Sequence, residues 1–77
     1  MTETLLRTEL HRIAPDIEID EIDRDEDLRE EFDIDSLDFL NLVTALGKAL
    51  NRPMPEADYS KMGSFNEMLA YLVEIQA

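Results

Sequence analysis

Between Pro15 and Leu40 the chain carries thirteen carboxylates, and the only cations among them are Arg24 and Arg29. Charges packed this densely repel one another, and an unpaired carboxylate is costly to bury, so the stretch must lie in water. A core therefore has to come from the flanks and from the few apolar side chains that interrupt the acids. The flanks permit this. Residues 1–14 are electrically neutral and supply Leu5, Leu6, Leu10 and Ile13, while residues 41–77 carry a net charge of −1 and are rich in Leu, Met and Val. With 44% hydrophobic residues in 77, one small core is affordable and disorder is not expected.

The same charge limits what the chain can bind. Its net of −12 and its lack of clustered Lys or Arg speak against nucleic acid and against an anionic membrane surface. There is no Cys, so neither a disulfide framework nor a thiolate metal site is expected, and His11 is the sole imidazole a zinc ion would find. A calcium loop starting at Asp23 fails because Leu28 occupies the position that needs Gly and Ile34 the position that needs a bidentate Glu. Starting at Asp16 fails in the same way, with Glu21 in the Gly position. No metal site is expected. No apolar run approaches the roughly 18 residues of a membrane span, and the first residues lack a basic leader. A cytoplasmic monomer is the expectation.

Helical periodicity and punctuation organise the rest. Leu6, Leu10 and Ile13 recur at four and three residues, with Leu5 beside them, and predict a helix from Thr2 or Glu3 to about Ala14, stopped by Pro15. From residue 15 to 35, Ile17, Ile19, Ile22, Leu28 and Phe32 follow no sustained period and read as anchors of a long ordered loop. Asp35 and Ser36 can each cap a second helix running to about Asn51, beyond which Pro53 and Pro55 prevent extension. A short helical turn over Glu56–Met62 is closed by Gly63. Ser64 and Glu67 form a capping box for a last helix to about Ile75, predicted to bury Phe65, Met68, Leu69, Leu72 and Val73. The expected fold is a small all-α four-helix bundle, three longer helices and one short one, with a long loop between the first and second helices.

The second helix holds the most informative position. At 100° per residue, Phe39, Leu42, Val43, Leu46 and Leu50 share the core face, Asn41 and Lys48 lie opposite, and Leu40 sits on the shoulder. Leu37 falls on the side its neighbours assign to water, directly after Ser36 and between Asp35 and Asp38. A serine at a helix start is commonly only a cap. The alternative is a hydroxyl that is itself modified. A phosphodiester formed there would lie near free N–H groups and the positive end of the helix dipole. Autonomous catalysis fits poorly, since nothing resembles Gly-x-Ser-x-Gly and His11 belongs to another helix.

Asp35-Ser36-Leu37-Asp38, at the head of an apolar helix and after a long acidic loop, resembles the attachment motif of acyl carrier proteins. The likeness extends over the whole chain, from the first helix to the closing helix with Tyr71. It implies a single carrier domain over residues 1–77 that performs no catalysis. It also implies a Ser36 converted by a phosphopantetheinyl transferase, using coenzyme A, to a 4'-phosphopantetheine phosphodiester whose thiol carries acyl groups as thioesters. By the same matching, Asp35 engages the transferase and its magnesium, and Asp38 and Leu37 meet partner enzymes, with Leu40 and Asn41 beside them. Leu42, Leu46, Met62 and Met68 are candidates to line an acyl cleft, with ordinary core as the plainer reading of each.

Two departures accompany the likeness. Asp33 stands where many members have Gly, which bears on the local loop geometry. Asn41 and Lys48 occupy a face that is acidic in carriers serving general fatty acid synthesis, which points to a specialised fatty acid, polyketide or lipid pathway. An aminoacyl or peptidyl carrier loaded by an adenylating ligase remains open, as does an interaction module that never uses Ser36. Acyl-loading ligases and acyl-processing enzymes are the other partners the resemblance implies.

Overall fold

The computed structural model describes residues 2–76. Helix α1 spans Thr2–Ile13, α2 Leu28–Glu31, α3 Ser36–Leu50 and α4 Phe65–Ile75, with 3₁₀ segments at Ile19–Glu21 and Glu56–Met62. No strand occurs among the described residues, and the protein is an all-helical bundle. α1 packs on both α3 and α4, and the 3₁₀ segment Glu56–Met62 packs on α4. The radius of gyration, 11.3 Å, matches the value of about 11.5 Å for a packed chain of this length.

The core joins all four helices. Leu6 and Leu10 of α1 meet Leu42, Val43 and Leu46 of α3 and Phe65, Met68 and Leu72 of α4, all fully or almost fully buried. Phe39 and Leu50, expected in this core, are only half-buried. On α4 the buried stripe is rotated from the expected one. Tyr71 is buried, whereas Val73 is 53% exposed and Leu69 half-buried. Tyr71 can enter because its hydroxyl donates to the Asp58 carboxylate at 2.6 Å, which satisfies the polar tip of an otherwise apolar ring.

The acidic stretch is more structured than its lack of period suggests. It contains a 3₁₀ turn and the four-residue α2, and Leu28, Phe32 and Ile34 reach the core from it. The Asp27 carboxylate caps α2 by accepting from the Arg29 N–H at 2.8 Å. The far end is a Schellman turn. Ile34 N–H donates to the Arg29 carbonyl at 3.0 Å and Asp33 N–H to the Glu30 carbonyl at 3.3 Å, with Asp33 in the left-handed region at φ 51. The position where many carriers have Gly thus takes a backbone conformation that favours Gly and that Asp tolerates.

Arg24 ties the stretch to the bundle. Its guanidinium donates to Glu3 at 3.0 Å and lies 4.6 Å from the centre of the Phe65 ring, while its carbonyl accepts from Asn66 N–H at 3.1 Å. Arg7 pairs with Glu3 and Asp20 from the other side. Leu28 N–H adds a bond to the Gly63 carbonyl at 2.7 Å. These links hold the segment beside the starts of α3 and α4.

Candidate functional site

The site begins with a division of labour between two adjacent residues. Asp35, in extended backbone, is the residue that caps α3: its carboxylate accepts from Asp38 N–H at 2.9 Å, and its carbonyl accepts from Phe39 N–H at 3.0 Å. Ser36 is therefore the first helical residue, and its hydroxyl is released from capping. That hydroxyl is exposed and accepts one hydrogen bond, from Arg29 Nη2 at 2.9 Å. Asp33 and Ile34 form the turn that brings Arg29 back over the helix start.

Around this hydroxyl stand groups suited to a phosphate. The N–H groups of Ser36 and Leu37 meet no acceptor among the described residues, and they lie at the positive end of a fifteen-residue helix. Beside them is a pocket of about 490 Å³ whose walls include Ser36, Arg29, Phe39, Leu40, Tyr59 and Ser60. Phe39 and Tyr59 pack edge to face across it, with ring centres 5.9 Å apart, and so join α3 to the 3₁₀ segment. A second depression, about 460 Å³, lies toward the other end of α3 among Lys48, Asn51, Arg52 and Met54.

The residues expected to meet partners stand on one outward surface at the start of α3. Leu37 is 64% exposed and Leu40 42%, Asp35 and Asn41 are exposed, and Asp38 is half-buried. The four candidates for an acyl cleft are placed otherwise. Leu42, Leu46, Met62 and Met68 are essentially without solvent access, and none of them lines the pocket beside Ser36. Arg29 was missed as a site residue. Its sequence context, between Leu28 and Glu30 in an acidic run, reads as a counter-ion, and only the turn at Asp33 aims it at Ser36. The Phe39–Tyr59 wall was missed because it links residues twenty apart.

His11 is exposed on α1, and no hydrogen bond joins it to Ser36 among the described residues. In this helical bundle a serine hydroxyl stands exposed at a helix start, bonded to Arg29 and not used as the cap, where another protein can reach it. Comparison with known families agrees. A family model described as "Phosphopantetheine attachment site" matches residues 4–72, and the chain belongs to that family. It is a carrier with a covalently attached 4'-phosphopantetheine arm, of the kind that phosphopantetheinyl transferases and the enzymes using the carried group engage. A search of curated proteins found no match. Among the described residues, no helix is long and apolar enough to cross a membrane.

The residues around Ser36 fit such a group. The exposed Ser36 hydroxyl would supply the ester oxygen, Arg29 and the N–H groups of Ser36 and Leu37 would supply donors for a phosphate, and the adjoining pocket has apolar walls at Phe39, Leu40 and Tyr59 with the carboxylates of Asp27 and Glu56 among its lining. When bound, the arm supplies a thiol that this Cys-free chain lacks.

Proposed function

We propose that this protein is an acyl carrier protein in which Ser36 bears the arm and acyl groups travel on it as thioesters, in a specialised fatty acid, polyketide or lipid pathway. The observation that carries the reading is the exposed Ser36 hydroxyl, freed from capping by Asp35. In the attachment step the Ser36 oxygen attacks the phosphorus of coenzyme A that bears pantetheine. The phosphoanhydride bond breaks, adenosine 3',5'-bisphosphate leaves with its electron pair, and the hydroxyl proton passes to a base of the transferase. The chain contributes the nucleophilic oxygen and a docking surface, and no catalytic base of its own.

That surface is apolar at Leu37 and Leu40, with Asp35 and Asp38 flanking Leu37. The acids suit a basic partner, and the apolar pair supplies contact area. Farther along α3, exposed Asn41 and Lys48 make the outer face poorer in negative charge, which supports a dedicated partner set over one that docks along an acidic helix. Tethering then raises the effective concentration of the acyl group at each partner's active site.

Incubation with coenzyme A, magnesium and a broad-specificity transferase tests the reading by intact mass. One arm is expected on the wild type and none on Ser36→Ala; no gain, or an equal gain in both, refutes it. Loading the modified protein with acyl-loading and with aminoacyl-loading ligases then separates an acyl carrier from an aminoacyl or peptidyl one.

A further inference from the structure

Arg29 behaves unlike the other arginines. Arg7, Arg12 and Arg24 each pair with a carboxylate, and Arg52 donates to the Ile75 carbonyl. Arg29 sits in the most acidic part of the chain, with Asp27, Glu30 and Glu31 as near neighbours, yet it forms no ion pair among the described residues and donates to a neutral hydroxyl instead. A carboxylate is the stronger partner for a guanidinium, so local electrostatics alone do not explain the choice.

The backbone explains how Arg29 is held there. Its N–H is fixed by the Asp27 carboxylate and its carbonyl by the Ile34 N–H, so both sides of the residue are pinned by the cap and the turn of α2. Of the five N–H donors of its guanidinium, one is used by the Ser36 oxygen. That oxygen is the atom through which a phosphodiester would be joined. The non-bridging oxygens would lie one bond beyond it, within reach of a fork that binds phosphate in two-pronged fashion.

We propose that Arg29 is a positioning residue for the prosthetic arm, its guanidinium holding the non-bridging oxygens of the Ser36 phosphodiester. This rests on Ser36 being the attachment residue. The contact offsets the extra negative charge that modification brings into a stretch already at −11, and it fixes the first bonds of the arm beside the pocket walled by Phe39, Leu40 and Tyr59. The unmodified protein holds the same guanidinium in readiness on the hydroxyl.

The experiment compares unmodified and fully modified protein, checked by intact mass, for the wild type and Arg29→Gln at low ionic strength. Arg29 is exposed, so the two unmodified chains are expected to unfold within about 2–4 °C of each other. On modification the wild type is expected to keep or raise its Tm and Arg29→Gln to lose Tm, a gap of about 4–8 °C between the two shifts. Phosphorus relaxation should show the phosphodiester tumbling with the protein in the wild type and moving faster in Arg29→Gln. Equal Tm shifts with equal relaxation, in two chains that both gained the arm, overturn the role of Arg29. No mass gain in either chain removes the Ser36 reading itself.

Discussion

At the residue scale, polar groups are placed where a partner satisfies them, and two of them set a pH dependence. The Asp58 carboxylate accepts from Tyr71, which pushes the Tyr71 phenol up to about 12; burial adds to the effect. The same hydrogen bond, with Lys61 3.5 Å away, holds Asp58 below the ordinary carboxylate range. Because the folded Tyr71 pKa is raised, its contribution is complete below pH 10 and disappears as pH climbs from 10 through about 12. Because that of Asp58 is depressed, its contribution is present above pH 3.8 and is lost as pH falls through the lowered value. Tyr71→Phe is expected to cost about 1 kcal/mol at pH 7, or about 4–8 °C in Tm, and to flatten the decline between pH 10 and 12. Thermal melts across that range check it; a wild-type slope retained in the variant contradicts it.

Asp35 and Ser36 show how adjacent residues divide the chemistry. Either can cap a helix, and their order along the chain does not say which one does. In the folded protein the Asp35 carboxylate takes the Asp38 N–H, leaving the serine oxygen to Arg29. Had Ser36 been the cap, its hydroxyl would be engaged with the backbone and less available to a transferase.

At the element scale, helix ends decide the geometry, and this chain ends two helices without glycine. α2 closes through Asp33 at φ 51 and α3 through Asn51 at φ 54, each in a Schellman turn. Asp and Asn tolerate the left-handed region at a cost that Gly avoids. Asp33→Gly is expected to stabilise the protein by up to about 1 kcal/mol, read as a Tm higher by about 4–8 °C at most. Asp33→Asn, which removes the charge and keeps the side-chain shape, is the control. If the two variants rise equally, relief of charge and not of backbone strain is responsible. Gly47 serves a different need: a Cβ there would lie 3.1 Å from the Arg52 carbonyl and 3.3 Å from Met54 Sδ, so its absence lets the chain fold back across α3.

The fold was largely readable at this scale. Pro15 ends α1, the prolines after Asn51 follow the end of α3, and Ser64 caps α4 by accepting from Glu67 N–H at 3.1 Å. The acidic stretch was read less well. α2 is only four residues long, too short to show a period, and it is maintained by a cap, a turn and two buried side chains. On α4, Leu69 and Val73 carry helical spacing as good as that of Tyr71. Which residue faces inward was settled by Asp58, thirteen residues away, which accepts the Tyr71 hydroxyl.

At the scale of the whole molecule, charge works against the fold. Arg7 and Arg24 tie the acidic stretch to α1, but among the described residues Asp20 is the only carboxylate of that stretch with a cation as partner. Raising the salt from 10 to 150 mM shortens the screening length from about 30 to about 8 Å, so Tm is expected to rise, with divalent cations having a larger effect than sodium. A Tm indifferent to salt would mean that the pairs formed by Arg7 and Arg24 already cancel the repulsion.

By itself, the sequence determined what is local: where helices start and stop, that a polar, acidic segment must stay in water, and that a serine stands at the head of an apolar helix with an unburied leucine beside it. These follow from spacing, prolines and caps within a few residues of one another. Only the tertiary structure decided that Arg29 turns back to Ser36, that Phe39 meets Tyr59, and that none of Leu42, Leu46, Met62 and Met68 lines the pocket beside Ser36. Each depends on how separate elements are set against one another, and that arrangement is fixed by packing and hydrogen bonds across the whole chain.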